Sequence, residues 1–243
     1  MLISRAELFA SPELLLDNDQ QKALAEVLQR RCTREPLAYV IGEWGFRRLS
    51  LKVGKGVMVP RPETEVLVER CLVHLRIISH PAVIDIGTGS GAIALAIADE
   101  HIGTKVTATD TSKEALKIAA ENIQRFDLED RVSLVYGNLY AEQSGPFDLV
   151  VSNPPYISFG EVEYLDPEVA KFEPRSALVG NDFHERIARA APKVLRNEGW
   201  LLMECSESQT VKLASCLERL GWKEVSVIND LGGRPRVVEG RLS

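Results

Sequence analysis

From about residue 80 onward, short apolar runs alternate with longer stretches whose apolar positions recur every three or four residues. Runs of the first kind predict strands at Ala82–Ile86, Val106–Asp110, Val132–Tyr136, Phe147–Ser152, Trp200–Glu204, Glu224–Ile228 and Arg236–Gly240. Stretches of the second kind predict helices at Gly91–Asp99, Ser112–Phe126, Asp182–Arg196 and Ser208–Leu220. Alternation of this kind implies an α/β fold with a mostly parallel, seven-stranded, Rossmann-like sheet covered by helices on both faces. The last two strands are expected to pair antiparallel at one edge.

Ahead of residue 80 the pattern differs. Ser11-Pro12-Glu13 reads as a helix start, and Ala23, Leu24, Val27, Leu28 and Arg31 repeat at helical spacing after Asn18-Asp19. Residues 1–35 therefore read as a small helical segment, too short to bury a core alone. Residues 36–79 read as a β-hairpin and a linker helix. Phe46, Leu49, Leu51 and Val53 fit one strand, Gly54-Lys55-Gly56 a turn, Val57–Val59 the return, and Val66–Leu75 the helix. Residues 80–243 are expected to form the main domain, the catalytic one if the chain is an enzyme. Ile157–Gly180 is long for a connection, and such lengths point to a lid or a substrate-binding loop.

Composition narrows the partners. A net charge of −6 and a pI near 5.4 supply no global attraction for nucleic acid. Cys32, Cys71, Cys205 and Cys216 are scattered without a Cys-x-x-Cys pair, so neither a metal centre nor a disulfide framework is expected. No apolar run reaches signal-peptide or membrane-span length, so the chain is expected to be cytoplasmic and free of membrane.

The chemistry-bearing residues fall at strand ends. Asn153-Pro154-Pro155-Tyr156 follows the Phe147–Ser152 strand. A Pro lacks an N–H and keeps the residue before it out of helical geometry, so the chain must leave the sheet extended. An Asn side chain and the Pro154 carbonyl are then unclaimed by secondary structure. Together they can accept two hydrogen bonds from one planar –NH2 group, with Tyr156 near enough to stack on it. Gly87-Thr88-Gly89-Ser90-Gly91 runs from a strand into a helix, where glycines let backbone N–H groups approach a ligand closely. Asp110 ends the next strand, where a carboxylate can accept both ribose hydroxyls. Asn138 and Leu139 follow the third strand and would flank a nucleoside base. This loop also satisfies the loose G-x-G-x-x-A fingerprint, so NAD is not excluded by the loop alone.

Several segments taken together resemble the HemK/PrmC family, the N5-glutamine methyltransferases of peptide chain release factors. They are Pro36-Leu37-Ala38-Tyr39, Gly42-x-x-x-Phe46, Val59-Pro60-Arg61-Pro62-Glu63-Thr64-Glu65, Asp85–Gly91, Asn153–Tyr156, Phe172-Glu173-Pro174 and Asp230–Arg241. Asn-Pro-Pro-Tyr is shared with adenine-N6 methyltransferases, whereas Pro-Arg-Pro-x-Thr-Glu is specific to the family. The resemblance implies a class I methyltransferase that uses S-adenosylmethionine. Its partner would be a release factor, with the Gln of the Gly-Gly-Gln motif as substrate and no direct nucleic-acid contact. It implies that Gly87–Gly91, Asp110, Asn138, Leu139 and Asn153 bind the cofactor, with Asp85 bracing the turn. Asn153, Pro154, Pro155 and Tyr156 would hold the substrate amide, and Phe46 would wall the transfer pocket. Asn153, Pro154 and Tyr156 carry the catalytic role.

Three positions depart from the family. About 35 residues precede the Pro-Leu-Ala segment, where the family has a bundle of several helices. This implies a weaker hold on the release factor or a start codon upstream. Asn138 stands where many members carry Asp, and Cys205-Ser206 replaces an apolar-Gly pair. The rival activities are N6-adenine methylation of nucleic acid and glutamine methylation of a ribosomal protein. The first would need a basic base-flipping surface that the acidic chain lacks. A cofactor-binding module without catalysis and an NAD-linked oxidoreductase fit less well, given the intact tetrapeptide. No group that titrates near neutrality belongs to the acceptor pair, so turnover is expected to be flat from roughly pH 6.5 to 9.

Overall fold

The computed structural model describes residues 5–11, 13–141 and 143–243. Helix α1 covers Arg5–Ala10 and α2 Asn18–Cys32. No helix starts at Ser11 or Glu13, and Pro12 and residues 1–4 lie outside the described residues. The start moves to Asp17, whose carboxylate accepts the Asp19 and Gln20 N–H groups while the Gln20 side chain accepts the Asp17 N–H. This reciprocal cap outweighs the Ser-Pro-Glu signal. Nothing on α2 is buried. It is tied down instead by Arg30 to Glu35 and Arg31 to Glu168.

Helix α3 (Leu37–Ile41) ends on Gly42 at φ 86°, a left-handed position that favours glycine. Strands β1 (Glu43–Phe46) and β2 (Leu49–Lys52) then form the hairpin, with Phe46 opposite Leu49. Its turn is Arg47-Arg48, not Gly54–Gly56. Arg47 takes φ 52°, and its N–H donates to Glu65 while its guanidinium forks onto Glu100. Side-chain anchoring of both partners thus fixes a turn that the sequence does not advertise. Gly54–Val59 runs on as an irregular segment. Helix α4 spans Pro62–Leu75, starting four residues before Val66 because Pro62 sits at a first-turn position that needs no N–H.

The sheet follows as β3 (Ala82–Ile86), α5 (Ala92–Glu100), β4 (Lys105–Asp110), α6 (Lys113–Arg125), β5 (Val132–Tyr136) and β6 (Phe147–Ser152). Between β6 and the last helices lie a 3₁₀ turn at Phe159–Tyr164, α7 (Pro167–Phe172) and α8 (Arg175–Leu178). The segment expected to be a loop is therefore mostly short helices, and its two ends are joined by a parallel bridge between Ile157 and Val179. Helix α9 (Phe183–Ala190) stops well before Arg196. Pro192 breaks the ladder, a 3₁₀ turn covers Ala191–Lys193, and Leu195–Glu204 becomes β7. Helix α10 (Thr210–Arg219), β8 (Lys223–Asn229) and β9 (Pro235–Arg241) complete the chain.

Strand order is β5-β4-β3-β6-β7-β9-β8, parallel up to β7, with β9 antiparallel to both its neighbours. The central strands are buried on both faces, and their side chains alternate between two cores. Val83, Leu149, Val151 and Leu202 pack with Leu67, Cys71 and Leu95 of α4 and α5. Ile84, Val150, Leu201 and Met203 pack with Ile187 of α9 and Leu213 of α10. From β3 the chain winds outward to β5, then returns to β6 on the other side. That switch point lies between β3 and β6, where ligands of open α/β sheets bind. Among the described residues no helix is long and apolar enough to cross a membrane.

Candidate active site

One cleft opens over the carboxyl ends of β3, β4, β5 and β6. Gly87–Ser90, Asp110, Asn138, Leu139, Asn153, Pro154 and Pro155 all line it. Its lining is mostly apolar, with a few polar groups set among it, as in small-molecule sites.

The glycine loop takes its shape from β4. The N–H groups of Gly87 and Thr88 donate to the Thr109 carbonyl at 2.8 and 3.0 Å. Gly89 and Ser112 each donate an N–H to one oxygen of Asp110, at 2.9 and 2.8 Å. Each carboxylate oxygen keeps a further acceptor site for a hydroxyl. Gly87, Gly89 and Gly91 have φ of 75°, 58° and 86°. A Cβ at Gly91 would strike Leu95 at 2.6 Å, whereas Cβ atoms at Gly87 and Gly89 would meet nothing within 4 Å. The loop is thus closed on the helix side and bare toward the cleft, which fits a nucleoside-bearing cofactor laid across it. Asp85 is fully buried below and accepts the Thr88 hydroxyl at 2.7 Å. Burial pushes its carboxyl up to about 7, against the pull of that hydroxyl.

Past β5, Leu139 adopts φ 50°, and its carbonyl accepts the Thr109 hydroxyl at 2.7 Å. Asn138 sits beside it on the cleft wall. Past β6, the Asn153 Nδ2 donates to Thr64 Oγ1 of α4 at 3.2 Å. That bond assigns the amine end of the carboxamide to the protein and leaves Oδ1 as the free end. Among the described residues no donor claims Oδ1 or the Pro154 carbonyl.

Three expected residues lie off the lining, the first being Gly91, which is turned against Leu95 and Ala119. Phe46 is 1% exposed and packs in the core with Leu49, Leu51 and Leu67, so it walls no pocket. Its place on the cleft is taken by Gly56, Val57, Met58 and Pro60, of which Val57 and Met58 were expected in a return strand. Tyr156 lies beside the cleft, off its lining. Its hydroxyl donates to Glu204 at 3.4 Å, its carbonyl accepts from Gln209, and its ring lies 6.3 Å from that of His184. The hydroxyl is therefore engaged, where only the ring face was expected to matter.

Three contributors were not singled out from the sequence. Thr64 holds Asn153, although it was quoted only as part of a motif. Glu204 closes β7 on the same rim, 1% exposed, and burial lifts its carboxyl to about 6. A buried carboxylate at a strand's carboxyl end was the available signal. Asn122 of α6 bonds the Ser90 carbonyl at 2.9 Å and both backbone groups of Lys52, tying the hairpin to the glycine loop. Nothing in the sequence marks that contact. Around the rim, Arg61 pairs with the buried Glu173 at 2.5 Å, joining the Pro60–Thr64 segment to the helices after the tetrapeptide.

The chain matches the family model of the methyltransferase small domain over residues 62–166 and that of the PrmC N-terminal domain over residues 1–42. It is 39% identical over 243 residues to the release factor glutamine methyltransferase of Coxiella burnetii, covering 98% of this chain and 86% of that protein. The protein of the same name from Fusobacterium nucleatum is 37% identical over 228 residues. The alignment covers 91% of this chain and 64% of the longer relative. Among solved structures, a methyltransferase from Pyrococcus furiosus superposes with a TM-score of 0.57 at 19% identity, covering 93% of this chain and 98% of that one. That likeness is one of fold.

Proposed function

The chain belongs to the release factor glutamine methyltransferase family, and from that premise we propose that it methylates the side-chain amide nitrogen of a Gln in a release factor's Gly-Gly-Gln motif. S-adenosylmethionine, when bound, supplies an electrophilic sulfonium methyl group. The backbone of Gly87–Ser90, the Asp110 carboxylate and the Asn138-Leu139 wall would hold it.

One observation carries this reading. Two unclaimed acceptors, Asn153 Oδ1 and the Pro154 carbonyl, stand on the cleft wall in consecutive residues. An amide nitrogen is a poor nucleophile because its lone pair is delocalised into the carbonyl. Two acceptors that each take one N–H fix the –NH2 plane and favour positive charge as it develops on nitrogen. No charged base is needed before transfer, since the N-protonated amide cation that methyl transfer would leave is a strong acid and loses one proton to give the neutral N-methyl amide. Thr64 acts by keeping the Asn153 amine end turned away from the substrate.

The test is to incubate the protein with S-adenosylmethionine and a release factor, then digest and sequence the product by mass spectrometry. The expected result is one added methyl group on the glutamine of the Gly-Gly-Gln peptide. Methylation confined to an adenine in an added nucleic acid, or to a ribosomal protein, would overturn the reading.

A further inference from the structure

We infer that Asn122 is a positioning residue that couples the two binding partners of the cleft. One buried carboxamide joins the glycine loop to the hairpin whose continuation walls the cleft, so a filled loop stiffens that wall and tightens the hold on the protein substrate. The identity of the partners, S-adenosylmethionine and a release factor, rests on the proposed function.

Asn122 lies on α6 and is fully buried. Its Oδ1 accepts the Lys52 N–H at 2.7 Å. Its Nδ2 donates to the Lys52 carbonyl at 3.0 Å and to the Ser90 carbonyl at 2.9 Å. A backbone N–H only donates and a carbonyl only accepts, so the carboxamide has one workable orientation and both of its N–H groups are spent. Among the described residues no hydrogen bond runs directly from residues 43–60 to residues 87–91. Asn122 makes the connection instead.

Each end of this link reaches the cleft. Ser90 lines it directly. Lys52 closes β2, and the chain runs on through Val53 to Gly56, Val57, Met58 and Pro60, which line it as well. That wall leans on the same helix, since a Cβ at Gly56 would come within 3.1 Å of Glu114 Cβ. Helix α6 also begins at the cofactor carboxylate. Ser112 donates its N–H to Asp110 at 2.8 Å, and its hydroxyl caps the helix by accepting the Ala115 N–H at 3.1 Å. Asp110, the glycine loop and the wall are thus all referenced to one helix about 20 Å long. Pulling the hairpin off Asn122 would strand buried polar groups on both sides, which is costly. A loop pinned by the cofactor therefore pins the carboxamide, and the carboxamide pins Lys52. The protein substrate then meets a wall whose ordering has already been paid for.

The experiment follows amide exchange with and without saturating S-adenosylhomocysteine, the demethylated cofactor, in wild type and Asn122→Leu. The substitution keeps the side chain's bulk and removes its three bonds. Val53 is the reporter, because it lies off the cleft lining and its N–H donates to the Gly42 carbonyl, which the substitution leaves alone. Release-factor affinity is measured by calorimetry in the same four states. In wild type the ligand should slow Val53 exchange and tighten release-factor binding, each by about fivefold or more. Asn122→Leu should still bind the ligand and still slow exchange within Gly87–Gly91, while both effects at the hairpin side shrink to under about twofold. Wild-type Val53 exchange that ignores the ligand would overturn the inference, whether or not Asn122→Leu folds. A folded variant with both effects undiminished would overturn it too. A wild type in which the ligand slows Val53 but which neither binds nor methylates a release factor would remove the proposed function and leave the coupling of loop to hairpin standing.

Discussion

Asn153 works because a short side chain is held at one end and offered at the other. Its neighbours divide the remaining tasks. Asp110 serves both the protein and the cleft, since each of its oxygens holds a loop N–H. Asp110→Ala should therefore weaken S-adenosylmethionine binding by about 1.5–3 kcal/mol or more, because the hydrogen bonds lost go to a charged group and the loop loses its anchor. Calorimetry measures this, and unchanged affinity would remove Asp110 from the cofactor site. Tyr156 has a separate signature. Its hydroxyl favours the charged form of Glu204 across a long 3.4 Å contact. Tyr156→Phe should thus keep most of the turnover. Tyr156→Ala should lose it, since the ring is gone as well. Turnover of the two variants, measured side by side, separates the two roles.

At the level of elements, three contacts turn a sheet with a cleft into a defined site. Asn122 ties the β1–β2 hairpin to the glycine loop, Thr64 ties α4 to Asn153, and Arg61 ties the segment before α4 to Glu173. Glu173 is 5% exposed, and burial pushes its carboxyl up in spite of Arg61. Arg61→Met would strand that carboxyl, with an expected loss of about 3 kcal/mol. Denaturant unfolding should show the loss, and amide exchange should quicken first in residues 157–180. A uniform increase across the sheet would mean that the link is not local. Such contacts explain where sequence reading stopped. Strand and helix periods placed β3 to β6 and the cleft's strand-end residues, because a buried parallel strand is continuous in its apolar character. The hairpin turn was misplaced because Arg47 adopts its left-handed φ through Glu65 and Glu100, which are distant in sequence. Phe46 was misassigned for a related reason. An aromatic residue near a motif reads the same whether it faces a core or a pocket.

Across the whole molecule, buried carboxylates make stability depend on pH in two directions. Asp85 is raised from 3.8 to about 7, chiefly by burial, and Glu204 from 4.5 to about 6. A carboxyl whose folded pKa is raised contributes stability below its unfolded pKa and loses it as pH rises through the folded value. For Asp85 this loss is on the order of 4 kcal/mol between about pH 4 and 7. Glu239 runs the other way. Burial alone would raise it, but His74, Arg70 and Ser226 together bring it down to about 2. Its contribution is present above the unfolded pKa of 4.5 and lost as pH falls below it through the folded value of about 2. Stability should therefore peak in acidic solution, near about pH 4, and Asp85→Asn should flatten the decline above it. Denaturant midpoints from about pH 3 to 8 provide the check.

The central claim is that Asn153 Oδ1 holds the substrate amide and does little for the cofactor. Single-turnover methyl transfer to a release factor by Asn153→Ala, with S-adenosylmethionine saturating and its affinity measured in parallel, tests this most directly. The rate should fall by at least about 10²-fold, as for the loss of one preorganised partner of a developing charge, with cofactor affinity nearly unchanged. A variant that loses cofactor affinity and keeps its rate at saturation would contradict it.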